Sequence, residues 1–263
     1  MPTQDTPALL FGAPLVQGRW CVRLAEAAEL PALLRLRARA FRGGDTADDS
    51  DEYDADSLHL WLGEPGEAPR ATLRLRLHGD GPALLNGYAA RFYDLRAMAA
   101  AGGPVLELGR LCTDPDRAGE GDLLRLVWAG VARLVLATGA QRLIGCTSFH
   151  TTDPGPLGPA LALLAARYQG PQALTPGRKA PEVLGFEVLG FEVLGVEAIA
   201  TPPDPAAAAL LPPLLRAYLA LGGWVSDHLV IDRDLGTCHV LTCVDIASLP
   251  AARKRVLTQM AAG

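Results

Sequence analysis

The segment between residues 105 and 139 constrains the fold more than any other part of the chain. An apolar run, VLELGRLC (105–112), predicts a strand that ends at Asp114-Pro115. Two glycines follow, and a helical pattern of apolar residues then runs through GDLLRLVWAGVARLVLATG (121–139). A strand that enters a helix through a glycine-rich turn leaves free backbone amides at the start of the helix, where a phosphate group fits.

The rest of the chain alternates between strand patterns and helix patterns. Strands are predicted at 19–26, 58–62, 71–79, 141–149, 228–231 and 239–245, and helices at 28–41, 156–168 and 210–225. This order predicts an α/β (α+β) fold in which a mixed central sheet is flanked by helices, as one domain over residues 1–263. Within it we expect a loose N-terminal segment at 1–18 and a variable insertion and connector at 180–209, which contains a repeated EVLGF unit.

Charge and cysteine content narrow the class of protein. The formal net charge is −5, which argues against a nucleic-acid-binding surface. The five cysteines are scattered, with no spacing typical of a zinc site or a disulfide framework, so we expect reduced thiols. The N-terminus lacks the basic-then-apolar pattern of a signal peptide, and no apolar run is long enough to span a bilayer. We therefore expect a cytoplasmic protein without a bound metal or cofactor.

The predicted strand at 105–112 contains a glycine whose position bears on the chemistry. In a regular strand Glu107 and Arg110 face opposite sides, because successive side chains alternate. A bulge at Gly109 adds one residue and brings Arg110 to the side of Glu107. It also leaves backbone amides near Leu111 unpaired, and such amides bind an extended ligand or an oxyanion.

These features together suggest acyl transfer. A carboxylate can accept a proton from an amine, and strand amides can stabilise the oxyanion of a thioester. The start of the following helix can hold the phosphate of a pantetheine arm. The alternative is that Glu107 and Arg110 form a pair that only stabilises the sheet.

Several short motifs resemble the GNAT acyltransferase superfamily. They are most similar to the bacterial N-acyltransferases that make lyso-ornithine lipid, which are related to the acyl-homoserine lactone synthases. The likeness runs from about Arg19 to Leu257. The matching motifs are R-x-x-x-F at Arg37–Phe41, D-x-x-D at Asp51 and Asp54 with His59 behind it, the strand arginine Arg74, E-L-G-R-x-C at Glu107–Cys112, D-P with its arginine at Asp114–Arg117, I-G-C-x-S-F-x-x-x-D-P at Ile144–Pro154, and L-P-P-L-L-R-x-Y-L-x-L-G at Leu211–Gly222.

The resemblance implies an N-acyltransferase that moves a 3-hydroxyacyl chain from acyl carrier protein to the α-amine of ornithine and gives lyso-ornithine lipid. It implies catalytic roles for Glu107, as the general base, and for Arg110. The residues implied to contact the acyl donor are Leu111, Cys112, Arg117, Gly119 and Gly121, and those implied to contact the acceptor are Arg37, Asp51, Asp54, His59, Arg74, Ser148, Phe149 and Asp153. For Asp45, Asp48 and Asp49 we favour a solvated, flexible loop.

The phosphate loop departs from the pattern of the superfamily. The pattern R/Q-x-x-G-x-G/A binds the pyrophosphate of acetyl-CoA, whereas RAGEGD (117–122) has shifted glycines and two carboxylates, Glu120 and Asp122. A pyrophosphate would meet those carboxylates unfavourably. An acyl carrier protein presents a single phosphodiester, so this departure favours a donor carried on the phosphopantetheine of acyl carrier protein.

Alternatives remain open at this stage. The same reaction on glutamine or another amino acid differs only in the acceptor. An enzyme like the acyl-homoserine lactone synthases would use S-adenosylmethionine, and a non-catalytic module would bind acyl carrier protein on the same fold. The apolar segment 210–225 also has two interpretations: a helix that closes the core, or an interfacial helix with Trp224 at the membrane boundary that makes the protein peripheral on the inner membrane.

Overall fold

The computed structural model describes residues 10–44, 48–117, 121–189 and 204–262. The chain divides into two compact units. The first comprises Met1–Leu77, Leu106–Gln141 and Ser248–Gly263, and the second comprises His78–Val105 and Arg142–Ala247. The predicted single domain over the whole chain stays a prediction. The EVLGF repeat from residue 190 onward and the first nine residues fall outside the described ranges.

The first unit contains antiparallel strands that follow one another along the chain. They are β1 (Leu15–Gln17), β2 (Trp20–Leu24), β3 (Leu58–Gly63) and β4 (Ala71–His78), and β4 neighbours β6 (Val105–Thr113) in the sheet order. The two strands predicted at 58–62 and 71–79 pair as an antiparallel hairpin, with His59 opposite Arg74. Side chains of directly opposed residues point to the same face, so this register places an imidazole beside a guanidinium.

In the described part of the chain, these strands are accompanied by the helices α1 (Leu30–Arg42), α4 (Gly121–Thr138) and α8 (Ala251–Ala262). The C-terminal helix α8 was not predicted, because its polar sequence buries only Leu257 and Ala261. Helix α1 begins with Pro31 in its first turn and ends at Gly43, whose φ of 76° stops the helix in the left-handed region.

The buried face of α1 differs from the predicted apolar stripe. The sequence pattern predicts a face with Leu30, Leu33, Leu34 and Ala38, whereas the fully buried residues are Leu33, Leu36, Arg37 and Ala38. Arg37 is the reason for the difference. A buried guanidinium requires carboxylate partners, and the apolar pattern carries no information about them.

The second unit is built on strands β7 (Arg142–Phe149), β12 (Thr237–Asp245), β11 (His228–Asp232) and β9 (Val183–Gly185), in that sheet order, with β10 (Trp224–Val225) paired to β12. A separate two-stranded sheet joins β5 (Tyr93–Asp94) and β8 (Gly177–Arg178). The helices are α2 (Gly81–Leu84), α3 (Arg96–Ala100), α5 (Gly158–Arg167), α6 (Pro205–Ala209) and α7 (Pro213–Ala220). Both units combine sheet and helix, so the predicted α/β class is confirmed.

The predicted helix over 210–225 is shorter than expected. Helix α7 covers only Pro213–Ala220, and Trp224 belongs to strand β10, where its side chain is 7% exposed. Leu215 and Leu219 lie in the hydrophobic core. The core-closing interpretation is therefore confirmed, and a position of Trp224 at a membrane boundary is wrong because the indole is buried. No helix among the described residues is long and apolar enough to cross a membrane.

Candidate active site

Arg37 on helix α1 is fully buried and binds two carboxylates of the loop that follows the helix. Its Nε donates to Asp49 Oδ2 over 2.8 Å, and its Nη1 donates to Asp54 Oδ1 over 2.6 Å. A third bond runs from Nη2 to the backbone oxygen of Asp49, at 2.5 Å. The arginine thus binds carboxylates of the protein itself, and its predicted contact with an acceptor stays a prediction.

Strand β4 supplies a second arginine to the same loop. Arg74 Nη1 donates to Asp54 Oδ1 over 2.9 Å and also binds Asp51. The backbone amide of Asp51 donates to Asp54 Oδ2 over 3.0 Å. Burial by itself would raise the pKa of Asp54, but the bonds from Arg37, the Asp51 amide and Arg74 outweigh it and lower the pKa to about 2. Asp54 is therefore ionised at neutral pH.

Strand β6 is irregular near Gly109, as predicted, but the residue with the unusual backbone is Arg110. Arg110 has a φ of 54° and is the one non-glycine residue with positive φ in the described ranges. The left-handed conformation costs a non-glycine residue roughly 1–2 kcal/mol, and such strain persists where surrounding contacts hold it. Two ion pairs hold the side chain, from Nε to Asp49 at 3.0 Å and from Nη2 to Asp51 at 3.3 Å.

The irregular backbone brings the Arg110 side chain to the same carboxylate that Arg74 binds. A side chain at position 109 would point to the guanidinium of Arg74, about 3.9 Å away. Arg74 and Arg110 both bind Asp51, so their guanidinium groups lie close to each other. Glu107 precedes Gly109 by two residues and shares its face in the alternating strand, and it is only 5% exposed. A buried carboxylate therefore lies three residues before a strained arginine on β6, and contact between the two side chains stays a prediction.

We call the seven charged residues of this region the arginine–aspartate network. Its members are Arg37, Arg42, Arg74, Arg110, Asp49, Asp51 and Asp54. Four arginines and three aspartates give it a formal charge of +1. The carboxylate oxygens of Asp51 and Asp54 accept hydrogen bonds from arginines and from backbone amides, and these bonds fix the positions of both carboxylates. Contact of these two residues with an acceptor stays a prediction.

The prediction of a solvated, flexible loop is wrong for Asp49. Asp49 is 1% exposed and binds Arg37, Arg42 and Arg110. Asp48 is exposed, as predicted, and Asp45 lies outside the described residues. Asp49 and Arg42 were missed because a run of acidic residues resembles a solvent-exposed loop. A signal was nevertheless present, since the arginine-rich helix directly before that run offers the partners that buried carboxylates need.

His59 lies on the edge of the network and has one nitrogen available. Its Nε2 lies 3.2 Å from the backbone oxygen of Asp54, an acceptor, so Nε2 carries the proton. Its Nδ1 is then an acceptor, and it is buried without a hydrogen-bond partner in the described part of the chain. Burial lowers the pKa of His59, so the ring is neutral at neutral pH. A neutral imidazole acceptor suits a substrate N–H group.

The residues implied to contact the acyl donor lie at the end of β6 and beyond it. Cys112 is buried, and burial raises its pKa to about 12, so it is a protonated thiol and not a nucleophile. Asp114 binds Arg70 at 3.0 Å and Arg39 at 3.5 Å, which anchors the end of the strand. Leu111 is partly buried in the strand, Arg117 ends a short 3-10 helix, Gly121 begins α4, and Gly119 lies outside the described residues. Their contact with a donor stays a prediction.

The three remaining predicted residues belong to the second unit, not to the unit that holds the network. Ser148 is partly exposed and stands opposite His239 across β7 and β12. Phe149 is 3% exposed in a hydrophobic core cluster, which gives it a packing role. Asp153 is exposed and accepts a bond from the backbone amide of Gly155 at 2.9 Å, which stabilises a turn.

The sequence of this chain is similar to those of known acyltransferases. Residues 36–129 match the acetyltransferase (GNAT) domain family, and this range contains the arginine–aspartate network, Glu107 and Gly109. An L-ornithine N(alpha)-acyltransferase of Rhodobacter capsulatus is 31% identical over 259 residues, which cover 92% of this chain and 96% of the relative. Another, from Rhizobium meliloti, is 29% identical over 249 residues, covering 86% and 80%.

A solved structure supports the fold. FeeM, an N-acyl amino acid synthase from uncultured soil microbes, superposes with a TM-score of 0.50 at 11% identity, over 89% of this chain and 95% of FeeM. The predicted GNAT-like fold is therefore confirmed. With 31% identity to a relative across almost its whole length, the chain belongs to the family of GNAT-type L-ornithine N(alpha)-acyltransferases and is an acyltransferase.

Proposed function

We propose that this acyltransferase moves a 3-hydroxyacyl chain from acyl carrier protein to the α-amine of ornithine and so makes lyso-ornithine lipid. The observation that carries the proposal is the buried Glu107, three residues before the strained Arg110 on β6, within a chain whose relatives are named for ornithine acylation. Buried carboxylates and strained backbone of this kind are frequent at catalytic sites.

The proposed reaction needs one base and one oxyanion site. Glu107 accepts a proton from the α-ammonium, directly or through a water, and leaves a neutral amine. The amine nitrogen attacks the thioester carbonyl, so a C–N bond forms, and the C–S bond then breaks to release the pantetheine thiol. Backbone amides near Leu111 stabilise the intermediate oxyanion. The second proton lost by the nitrogen goes to the leaving sulfur, which balances the step.

The acceptor is tested with purified protein, 3-hydroxyacyl carrier protein and a panel of amino acids, with products identified by mass spectrometry. We expect ornithine to be acylated with a higher kcat/KM than glutamine. A preference for glutamine or another amino acid would show that ornithine is not the acceptor, while the proposed acyl transfer would stand. Dependence on S-adenosylmethionine would favour a homoserine lactone synthase, and no product with any amino acid would favour a carrier-binding module.

Asp51 is the better candidate for contact with the side-chain ammonium of ornithine. It is the more exposed of the two predicted carboxylates, at 11%, and its bond to Arg110 is long, at 3.3 Å. Loss of a charge-assisted hydrogen bond costs roughly 1.5–3 kcal/mol, or about 10- to 150-fold in affinity. We therefore expect Asp51→Asn to lower kcat/KM for ornithine by at least about 10-fold, and for glutamine much less.

Asp54→Asn provides the comparison for this prediction. Asp54 is the more buried, and it accepts bonds from Arg37, Arg74 and a backbone amide, so its loss should affect both acceptors alike. If Asp51→Asn also lowers kcat/KM equally for ornithine and glutamine, Asp51 stabilises the network and does not contact the substrate side chain.

A carrier-protein donor predicts a basic docking surface near helix α4. Acyl carrier proteins are generally acidic, and Arg125 on α4 is exposed. Arg133, on the same helix, is instead structural, since it donates to the backbone oxygens of Ala13 at 2.6 Å and Ala261 at 3.1 Å. We expect Arg125→Glu to raise KM for acyl carrier protein by roughly 3- to 10-fold. Added salt should raise the KM of the wild type for acyl carrier protein to a similar degree.

The matched control is Arg216→Glu, an equal charge reversal at an exposed position on α7 in the second unit. It should leave KM unchanged. The acyl-CoA thioester of the same chain should be a poorer donor, and its KM should not respond to Arg125→Glu. Equal use of both donors, insensitive to salt, would contradict the carrier-protein donor.

A further inference from the structure

The proposed reaction gives no role to Asp49, the most buried carboxylate of the arginine–aspartate network. Its side chain is fully buried and forms ion pairs with three arginines from two different elements. Arg37 and Arg42 belong to helix α1, and Arg110 belongs to strand β6. All four residues lie in the first unit, so Asp49 connects two elements of the same compact body.

Both carboxylate oxygens of Asp49 accept hydrogen bonds from arginines. Oδ2 accepts from Arg37 Nε over 2.8 Å and from Arg110 Nε over 3.0 Å, while Oδ1 accepts from Arg42 Nε over 3.1 Å. Arg37 also donates from Nη2 to the backbone oxygen of Asp49 over 2.5 Å. Helix α1 therefore fixes the position of the carboxylate, and Oδ2 passes that position on to the guanidinium of Arg110.

Arg110 is the residue whose backbone is strained. Its φ of 54° lies in the left-handed region, which residues with a Cβ rarely adopt. The ion pair of Arg110 with Asp49 is 3.0 Å long, against 3.3 Å for the one with Asp51. Asp49 is also the more buried partner, and water screens a buried ion pair less than an exposed one. Asp49 therefore holds the strained residue more firmly than Asp51 does.

The conformation of Arg110 affects the backbone that follows it. A strand residue with positive φ turns the neighbouring peptide groups out of their regular directions, as in a β-bulge. Leu111 follows directly, and the amides near it form the proposed oxyanion site. If Arg110 became extended, successive N–H groups would point to opposite sides again, as they do in a regular strand. A group that holds Arg110 therefore controls the direction of these amides without touching the substrate.

We propose that Asp49 is a positioning residue for acyl transfer, which holds Arg110 in the left-handed conformation and so directs the amides near Leu111 at the thioester oxyanion. This inference rests on the proposed function for the role of those amides. It gives the buried ion pairs of helix α1 a purpose in the reaction that is separate from the proton transfer at Glu107.

The first test replaces Asp49 by leucine, which has a similar shape and no charge. Arg37 and Arg110 keep Asp54 and Asp51 as partners. We expect kcat with ornithine and 3-hydroxydecanoyl carrier protein to fall by about 10- to 100-fold, a smaller loss than that of a whole oxyanion donor. Asp49→Asn restores one acceptor oxygen and should recover part of the loss. Asp48→Leu, at the exposed neighbouring position, should keep normal kcat.

Glycine at position 110 separates the backbone effect from other effects of Asp49. Glycine adopts positive φ without the cost that a Cβ imposes, so Arg110→Gly does not need Asp49 to hold its backbone. Within the Arg110→Gly protein, Asp49→Leu should lower kcat by less than about 3-fold. An equal loss in both backgrounds would overturn the inference, because Asp49 would then act on something other than the conformation of residue 110.

Arg110→Ala provides a second comparison that does not depend on a variant of Asp49. It lacks the guanidinium, as Arg110→Gly does, but it keeps a Cβ. Its kcat should be about 5- to 30-fold below that of Arg110→Gly, which is the population that the left-handed conformation costs a residue with a Cβ. Equal kcat for the two variants overturns the inference even if Asp49→Leu does not fold.

Backbone chemical shifts of Arg110 separate this inference from the proposed function, because they report the conformation and need no substrate. We expect left-handed shifts in the wild type and extended shifts in Asp49→Leu. Left-handed shifts in folded Asp49→Leu would overturn the inference, and so would normal kcat in a variant whose Arg110 has become extended. A wild type that acylates no amino acid, with the expected shifts in both proteins, contradicts the proposed function and leaves the hold of Asp49 on Arg110 standing.

Discussion

Replacing Glu107 by glutamine should lower kcat by about 100-fold or more with ornithine and the acyl carrier protein donor, because an amide cannot accept the proton of the substrate ammonium. The two side chains are nearly the same size, so the buried position on β6 should stay filled. The measurements are the rate of pantetheine thiol release and the thermal unfolding midpoint of each variant.

The matched control is Glu52→Gln, the same substitution at an exposed position of the first unit. It should keep normal turnover. If Glu107→Gln keeps normal turnover as well, with an unchanged midpoint, Glu107 is a structural residue of the sheet. If the midpoint falls strongly and turnover falls in proportion to the unfolded fraction, the carboxylate stabilises the fold and the base lies elsewhere.

Replacing Arg37 by methionine should destabilise the protein by about 3–5 kcal/mol, because it leaves buried carboxylates without a partner. Asp49 and Asp54 are 1% and 7% exposed, and Arg37 makes three described hydrogen bonds to them. The methionine fills much of the volume, so the loss reports on charge and not on a cavity. The measurement is the free energy of unfolding in urea.

Arg35→Met is the control, since Arg35 is exposed on the same helix two residues earlier. It should change the free energy by less than about 0.5 kcal/mol. Arg37→Lys should recover only part of the loss, because an ammonium cannot match the planar geometry of a guanidinium that binds two carboxylates. Equal stability of Arg37→Met and Arg35→Met would show that the network does not stabilise the first unit.

Much of the local structure could be predicted because it depends on neighbouring residues. The alternation of apolar and polar residues in β4 and the helical spacing of apolar residues in α4 can be seen within short stretches of the sequence. The irregularity of β6 was visible in Gly109, although the left-handed residue is its neighbour Arg110. A glycine in a strand indicates that the backbone can leave the regular strand conformation there. Ion pairs with distant residues then decide which residue takes the left-handed conformation.

The ends of helices were less predictable where apolar runs continue past them. The segment 210–225 is apolar throughout, yet its helix ends at Ala220 and Trp224 enters a strand. Hydrophobicity alone indicates burial for both parts, and the pairing of β10 with β12 settles which structure each adopts. The C-terminal helix α8 shows the opposite case, because a polar sequence forms a helix by packing two residues against the unit.

The amino-acid sequence by itself determined the order of the longer strands and of helices α1, α4 and α5, the position of Glu107 on an irregular strand, and the family to which the chain belongs. Only the tertiary structure decided which charges and rings meet. Arg110 binds Asp49 from 61 residues away, and Tyr93 binds His239 from 146 residues away. Local patterns arise from the periods of strand and helix, which repeat over a few residues. Ion pairs and buried hydrogen bonds instead form wherever packing excludes water, and distant segments must come together first.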